Sequence, residues 1–338
     1  MYKGEAMENQ IQTPHKRRVR YKGKYPKKFE EKYKELQPEK YKDTIEHVIQ
    51  KGNTPAGMHI SIMVKEIIDF LNIQPGEIGF DATLGYGGHT KAMLKCLNGK
   101  GHIYATDVDP EESDKTKKRL ADQGFGEDLL TVKLQNFCTI DEIAKEVGGF
   151  DFILADLGVS SMQIDNPKRG FSFKVDGPLD LRLNQEAGIS AAERLDTITR
   201  DELAGMLYEN SDEPYCEELA KAITDEIRKG NRIDTTTKLR QVIAKKLWSF
   251  LPEKEKKDTI KKTCQRTFQA LRIDVNREFE VLYEFMEKLP DALRPGGRVA
   301  ILTFHSGEDK LVKKALKEGY KAGIYSDYAK DVIRPSAQ

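Results

Sequence analysis

The residues that could carry chemistry lie in a glycine-rich turn and at the ends of two apolar segments. The turn has the sequence DATLGYGGHT at residues 81–90, Asp107 comes twenty-two residues after Gly85, and Asp156 ends a further apolar segment. Glycines in a turn let the backbone approach a ligand closely, and a carboxylate at the distance of Asp107 suits the two hydroxyls of a ribose. The pattern indicates a cofactor that contains a nucleoside; the alternative is a tight turn that binds no ligand.

The charge of this turn distinguishes between two such cofactors. A dinucleotide would bring a pyrophosphate, which Asp81 would repel, and Tyr86 interrupts the GxGxxG pattern of dinucleotide sites. S-adenosylmethionine brings a sulfonium and an ammonium, and Asp81 and Asp156 at neighbouring strand ends would attract both cations. We therefore predict a methyltransferase that uses S-adenosylmethionine, with an NAD-dependent dehydrogenase as the less favoured alternative.

Alternating strands and helices must position these residues. Apolar runs predict strands at 78–82, 101–107, 129–134, 150–156 and 298–304. Helical spacing predicts a helix that ends near Asn72 and further helices at about 91–97, 111–122, 140–147, 263–289 and 308–317. The turn RPGG at 294–297 separates the last strand from the helix before it. This alternation predicts an α/β fold, a Rossmann-like class I methyltransferase domain with a mostly parallel sheet and right-handed crossovers.

The alternation is interrupted between the fourth and fifth strands. Residues 167–262 are mostly helical, with apolar spacing in 195–208, 219–227 and 239–247. We therefore predict a methyltransferase domain in two parts, 58–166 and 263–338. The inserted helical domain, 167–262, would recognise the substrate.

Residues 1–57 predict a basic N-terminal arm. The first 58 residues contain 14 Lys and Arg against 8 Asp and Glu, so the remainder of a chain with net charge +1 is acidic. The arm could neutralise RNA phosphates, and Tyr21, Tyr25 and Phe29 could stack on bases. A solvated tail that keeps the protein soluble explains the same pattern equally well.

The composition argues against several protein classes. No segment approaches the roughly 20 apolar residues that span a bilayer, and the lysine-rich N-terminus lacks the apolar core of a secretory signal. The spacing of the four cysteines supports neither a zinc site nor a disulfide framework; they are Cys96, Cys138, Cys216 and Cys264. We expect a cytoplasmic protein without a bound metal.

Five segments resemble the ribosomal RNA small subunit methyltransferase H family, also called the MraW family. They are DATLGYGGHT, ATDVDP at 105–110, LADLGVSSMQIDNPKRGFSFKVDGPLDLR at 154–182, FQALRIDVNREFE at 268–280 and LRPGGRVAILTFHSGEDKLVK at 293–313. The resemblance covers about residues 58–317. It implies a Rossmann-like domain with a helical insertion and S-adenosyl-L-methionine as cofactor. The implied reaction is methyl transfer to N4 of a cytidine in the 16S rRNA of the small ribosomal subunit.

The matching motifs imply seven cofactor contacts, which are Gly87, Gly88, His89, Asp107, Phe137, Asp156 and Gln163. Asp107 would bind the ribose, and Phe137 would lie by the adenine. Asp156 and Gln163 would flank the methionine moiety or the transferred methyl group. Other roles stay open, because Phe137 could be plain core, His89 could cap a helix start and Gln163 could be a surface residue.

The implied reaction needs a hydrogen-bond acceptor beside the substrate amine. The lone pair of the cytosine N4 amine is delocalised into the ring, which makes the amine a poor nucleophile. An acceptor for its N–H bonds would help the nitrogen pyramidalise as it attacks. Asp156, at the carboxyl end of the fourth strand, is the candidate catalytic residue; alternatively, it could bind backbone amides.

Arg169, Phe171 and Phe173 are candidate substrate-binding residues. A target base must be unpaired or flipped to reach a cofactor pocket, and arginine and aromatic planes stack well on such a base. The alternative is that both phenylalanines pack the insertion onto the sheet.

The chain departs from the family pattern at several positions. Tyr86 stands where members commonly carry glycine, Gly307 replaces the usual leucine, and residues 59–63 lack the usual proline. The basic arm is additional, and the Arg/Asn-rich tail of the family is not present. These departures indicate a diverged member, whose substrate could be another RNA or a protein. A non-catalytic RNA-binding assembly factor stays open as well, and no oligomeric state is predicted.

Overall fold

The computed structural model of the chain describes residues 61–335. The basic arm predicted at residues 1–57 lies outside these residues and stays a prediction. Within residues 61–335, no helix is long and apolar enough to cross a membrane.

Five strands and twelve α-helices make up the described residues. The strands are β1 Ile78–Asp81, β2 His102–Asp107, β3 Leu130–Leu134, β4 Phe150–Asp156 and β5 Leu293–Leu302. The helices before β4 are α1 Val64–Leu71, α2 Gly88–Leu97, α3 Pro110–Asp122 and α4 Ile140–Val147. Those between β4 and β5 are α5 Ser161–Asp165, α6 Ala191–Thr197, α7 Arg200–Ser211, α8 Cys216–Arg228, α9 Thr236–Trp248, α10 Glu253–Asn276 and α11 Glu278–Ala292, and α12 Ser306–Lys321 follows β5.

The strands form one sheet in the order β3-β2-β1-β4-β5, and every neighbouring pair is parallel. The first strand, β1, lies in the centre of the sheet, and β2 and β3 follow outward on one side of it. The chain then returns to β4 on the other side of β1, so the direction of strand addition reverses between β1 and β4. Ligands of open α/β sheets bind at such a reversal, outside the carboxyl ends of the strands. The predicted α/β, Rossmann-like fold class is confirmed.

Both faces of the sheet are buried. Along β4, Phe152 and Leu154 lie in one apolar cluster, and Ile153 and Ala155 lie in the other. Helices α1, α2 and α3 contribute to the first cluster, and α4, α11 and α12 contribute to the second. Alternate residues of β4 therefore face helices on both sides, as expected for a parallel sheet joined by crossovers.

Gly79 allows β1 and β4 to approach closely. A Cβ on Gly79 would lie 2.1 Å from the ring of Phe152, and that ring is fully buried. We expect Gly79→Ala to lower the free energy of unfolding by about 1–3 kcal/mol, since overpacking a full core forces side chains off their preferred positions. Urea unfolding followed by circular dichroism measures this loss.

Gly205→Ala is the matched control for that substitution. Gly205 lies within α7, and a Cβ there would meet no atom within 4 Å. Alanine is favoured over glycine inside a helix by about 1 kcal/mol, so this variant should be as stable as the parent chain or more stable. Equal losses for both variants would contradict the packing explanation.

A third apolar cluster lies among the helices between β4 and β5. It includes residues of α6, α7, α8 and α9, and α10 adds Cys264 and Phe268. These two α10 residues lie beyond the predicted boundary at 262/263, so the insertion and the returning helix share one core. The predicted division into 58–166 with 263–338 and 167–262 stays a prediction.

Several element boundaries differ from the sequence prediction, and α10 begins at Glu253, inside the predicted insertion, rather than at 263. The helix predicted at 263–289 is two helices, because Arg277 has a left-handed φ of 52° that ends α10. Glycine usually supplies such a conformation, so the arginine gives no sign of the break. The RPGG turn lies within β5 rather than before it: Phe150 pairs with Leu293, and Phe152 pairs with Arg298. The intervening residues therefore form a bulge.

Candidate active site at the carboxyl edge of the sheet

Three aspartates end three neighbouring strands and therefore lie along one edge of the sheet. Asp81 ends β1, Asp107 ends β2 and Asp156 ends β4. The strand ends are joined directly, since the Ala82 N–H donates to the Leu154 carbonyl at 2.8 Å. We call this edge the carboxyl edge. It includes the reversal between β1 and β4, where the fold places ligands.

The glycine-rich turn after β1 is folded against α3. The Gly85 N–H donates to Asp107 Oδ2 at 2.8 Å, and the Thr116 hydroxyl donates to the Gly85 carbonyl at 2.7 Å. Gly87 has a φ of 75°, and a Cβ there would lie 2.7 Å from the Thr116 methyl carbon. The left-handed backbone and the close approach both require glycine. Gly88 then begins α2, so the turn is held beside Asp107.

Tyr86 is held by an arginine of α3. The Arg119 guanidinium carbon lies 3.6 Å from the centroid of the Tyr86 ring, which is a cation–π contact. The same guanidinium donates to the Tyr86 carbonyl and to the Thr116 hydroxyl, both at 2.7 Å. These contacts of Tyr86 with Arg119 therefore hold the glycine-rich turn against α3.

Asp107 receives two backbone donors. The Gly85 N–H donates to Oδ2, and the Asp109 N–H donates to Oδ1 at 2.9 Å. Burial raises the pKa of Asp107 to about 6, although both hydrogen bonds act in the opposite direction. Its carboxylate is thus fixed in place and changes its charge near neutral pH.

His89 joins the segment before α1 to Asp156. Its ring is buried; Nε2 lies 2.8 Å from the Ile62 carbonyl, and Nδ1 lies 3.4 Å from Asp156 Oδ2. A carbonyl accepts only from a protonated Nε2, so Nδ1 faces the carboxylate favourably only when it is protonated too. Burial lowers the pKa of His89, but Asp156 and the Ile62 carbonyl raise it above the ordinary value. His89 does not cap α2, because Gly87 is the N-cap residue.

Asp156 keeps one oxygen without a partner. Its backbone N–H donates to the Thr83 hydroxyl at 2.7 Å, and Oδ2 faces His89. Among residues 61–335, nothing donates a hydrogen bond to the buried Oδ1. A buried acceptor without a donor is costly, so this oxygen fits a donor that a ligand would supply.

Asp81 is built into the fold instead of facing a ligand. It is buried; the Thr90 hydroxyl donates to Oδ2 at 2.6 Å, and the Thr83 N–H donates to Oδ1 at 3.1 Å. Burial raises the pKa of this carboxyl, although the Thr90 hydrogen bond lowers it. The sequence predicts that Asp81 and Asp156 both attract the cations of the cofactor. The structure leaves Asp156 as the more exposed of the two.

Asp109 is a buried acceptor that the sequence analysis missed. It is the N-cap residue of α3, and its Oδ2 accepts from Arg169 Nη2 at 2.6 Å and from Gln163 Nε2 at 3.1 Å. The aspartate-proline pair that opens α3 is a helix-start signal, but it does not reveal the long-range partners. Gln163 also closes a capping box with Ser160. Gln163 is therefore held near Asp107 through Asp109 and is no free surface residue.

Phe137 lies in a short 3₁₀ turn after β3 and is half-buried. Its ring packs edge-on against Phe285, with centroids 5.2 Å apart. One side of the ring thus belongs to the core, as the plain-core alternative expects. The adenine contact stays a prediction.

The predicted substrate-binding residues are mostly buried. Arg169 and Phe171 are 5% and 8% exposed, and the Phe173 ring packs against Phe268 with centroids 5.7 Å apart. Both phenylalanines contact the core of the helical region and belong to neither cluster on the faces of the sheet, so they pack among the helices rather than onto the sheet. Their assignment to the substrate is not supported by these contacts.

The sequence of the chain resembles those of known proteins. The sequence matches the MraW methylase family over residues 56–327. Ribosomal RNA small subunit methyltransferase H 1 of Agathobacter rectalis is 86% identical over 324 residues, which are 96% of this chain and 93% of that protein. The protein of the same name from Lachnoclostridium phytofermentans is 69% identical over 335 residues, which are 99% of this chain and 91% of that protein.

A more distant relative also matches most of the chain. Ribosomal RNA small subunit methyltransferase H of Fusobacterium nucleatum is 40% identical over 262 residues, 77% of this chain and 80% of that protein. With the family match covering both halves of the parallel sheet, the chain belongs to the MraW methylase family.

Proposed function

We propose that this protein transfers a methyl group from S-adenosyl-L-methionine to N4 of a cytidine in the 16S rRNA of the small ribosomal subunit. The relatives named above are called ribosomal RNA small subunit methyltransferases. The observation that carries the chemistry is the buried Asp156 Oδ1, an acceptor without a donor at the carboxyl edge. An amine with N–H bonds is the kind of substrate group that such an oxygen can hold.

The residues of the edge fit this cofactor. Asp107 is a fixed carboxylate that suits the ribose hydroxyls, and the turn that contains Gly87 and Gly88 lies beside it. Gln163 and Phe137 are the further candidate contacts, for the methionine moiety and the adenine. When bound, the cofactor supplies an electrophilic methyl group on a sulfonium.

Asp156 would act on the substrate amine. Its carboxylate accepts a hydrogen bond from N4, which concentrates the nitrogen lone pair for attack. Methylation leaves N4 with a surplus proton, which Asp156 would accept and pass to water. His89 holds Oδ2 of the same carboxylate at 3.4 Å, so it fixes the direction of the acceptor without contacting the substrate.

The competing functions differ in the substrate, or in whether the protein transfers a methyl group at all. A relative of the same fold could act on another RNA or on a protein, and an assembly factor would bind RNA without methyl transfer. The acceptor at Asp156 and the carboxylate at Asp107 favour an enzyme, because a pure RNA-binding protein needs neither.

The test uses methyl-labelled S-adenosyl-L-methionine with small ribosomal subunits that lack the modification. We expect label in one 16S cytidine, identified as N4-methylcytidine by mass spectrometry of the nucleosides. Label in another nucleoside, in another RNA or in protein would show that the proposed substrate is wrong. Cofactor binding without any transfer would support the assembly factor.

Cofactor affinity should depend on pH through Asp107. Because its pKa is about 6, the carboxylate is ionised above pH 6 and becomes a neutral acid below it. Protonation removes an acceptor for the ribose hydroxyls, so we expect the Kd for S-adenosyl-L-methionine to rise by up to about tenfold per pH unit below 6. Isothermal titration calorimetry between pH 5 and 8 measures this change.

Asp107→Asn provides the control, since an amide does not titrate. Its Kd should be higher at pH 8 and nearly constant as the pH falls. A variant that kept the parent profile would assign the titration to another group, for which His89 is the next candidate.

A further inference from the structure

Phe304 is an exposed aromatic ring at the carboxyl edge. It follows β5 two residues after Leu302, which is level with Asp156 in the β4–β5 pairing. Leu302 is 8% exposed, whereas Phe304 is 57% exposed. The ring lies beside the loop that leaves Asp156, because a Cβ on Gly158 would lie 3.6 Å from Phe304 Cδ2.

The backbone of Phe304 is fixed although its ring is exposed. The Phe304 N–H donates to Glu308 Oε2 at 2.8 Å, and Glu308 is only 4% exposed. The next residue, His305, is the N-cap of α12, and its ring packs edge-on against Phe279 with centroids 5.7 Å apart. A flat apolar ring is thus presented to solvent from a rigid position, beside the candidate acceptor.

Two other exposed aromatic rings have a local partner. The Lys256 ammonium lies 4.3 Å from the Trp248 ring centroid, and Phe250 packs with Tyr215 at 5.6 Å between centroids. Within residues 61–335, no aromatic ring or cation makes such a contact with Phe304. The Phe304 ring is therefore available to a planar group from outside the chain.

We propose that Phe304 stacks on the target pyrimidine base and forms one wall of the substrate site. This inference rests on the proposed function. A base that enters the carboxyl edge must leave its stack in the RNA, and an aromatic ring replaces the lost stacking without regard to sequence. Phe304 would thereby hold the ring of the base, while Asp156 holds its amine.

The test compares Phe304→Ala with Phe304→Trp in the full-length chain. Loss of one base–aromatic stack should raise the KM for undermethylated small subunits about 10- to 100-fold in the alanine variant. Tryptophan retains a stacking face, so its KM should stay close to that of the parent. The cofactor Kd and the midpoint of thermal unfolding should be unchanged in both variants.

Phe70→Ala is the matched control. Phe70 is 50% exposed and lies in α1, where the carbonyl of the next residue, Leu71, accepts a hydrogen bond from Arg298 of β5. Its loss should leave the KM unchanged. A KM for Phe304→Ala within twofold of the parent would overturn the stacking role while leaving the proposed function in place.

A binding experiment separates the two claims. An RNA oligonucleotide that carries pyrrolocytosine loses fluorescence when its base stacks on an aromatic ring. The parent chain and Phe304→Trp should quench this probe, and Phe304→Ala should not. If the parent chain methylates no ribosomal RNA, the proposed function fails. Quenching that still depends on Phe304 would then support base stacking, and quenching that is unaffected by Phe304→Ala would overturn it.

Discussion

Asp156→Asn is expected to lower kcat by about a hundredfold or more and to raise the cofactor Kd by a smaller factor, because binding loses only its cation-attracting charge. The amide keeps the shape of the carboxylate but cannot take the proton that N4 must lose, and its acceptor is weaker and uncharged. Removal of one preorganised hydrogen-bond partner of a reacting group commonly costs 10²–10³ in kcat. Single-turnover methyl transfer and cofactor titration measure the two quantities separately.

His89 adds a second consequence to this variant. Its Nδ1 lies 3.4 Å from Asp156 Oδ2, and asparagine removes the negative charge that favours protonation of this nitrogen. The pKa of His89 should therefore fall in Asp156→Asn, and ¹H–¹⁵N spectra of the imidazole would report it. Asp122→Asn, at an exposed position of α3, should change neither kcat nor this pKa. Full turnover in Asp156→Asn would reject Asp156 as the catalytic acceptor.

Arg169→Met is expected to lower the free energy of unfolding by about 3–5 kcal/mol. Arg169 and Asp109 have side chains 6% and 1% exposed, and their closest atoms lie 2.6 Å apart. The substitution leaves the Asp109 carboxylate buried without its cation, which costs far more than the pair itself contributes. Arg169 Nη2 also donates to the Leu183 carbonyl at 2.7 Å, so that acceptor would lose a donor as well. Urea unfolding with the cofactor absent measures the loss.

The size of this loss can be assigned by a double-mutant cycle. Asp109→Asn removes the charge that Arg169→Met leaves behind, so the double variant should be more stable than the sum of the two single losses implies. Arg228→Met is the surface control: Arg228 and Asp225 are 70% and 40% exposed, and such a pair contributes at most about 1 kcal/mol. Additive losses at Asp109 and Arg169 would contradict a buried ion pair.

The elements of the sheet could be predicted because each has a local signal. The predicted bounds of α4 and β4 agree with the structure at every residue, since apolar periodicity marks both elements and the glycines at 148 and 149 separate them. Asp107 and Asp156 were placed correctly at strand ends for the same reason. The residues that these two aspartates contact depend on the register of the parallel strands, and the register follows from the fold class.

The partners of buried polar side chains could not be predicted. Arg169 carries the charge of a surface residue, and only the meeting of two segments sixty positions apart makes it the partner of Asp109. Arg277 likewise gives no local sign that α10 ends there. In both cases tertiary contacts decide the outcome, and neither periodicity nor composition records them.

The separation of β4 from β5 has a consequence for the order of folding. The two strands are neighbours in the sheet, yet residues 157–292 lie between them. Closing so long a segment is slow because the entropy is lost before the contacts form. During synthesis, β1 to β4 can pair as soon as they are made, whereas β5 is added only after every intervening helix has emerged. The chain therefore acquires Phe304 and the last strand of the carboxyl edge in its final step of folding. Until then, β4 carries an unpaired edge beside Asp156, and such an edge is a template for pairing with another chain.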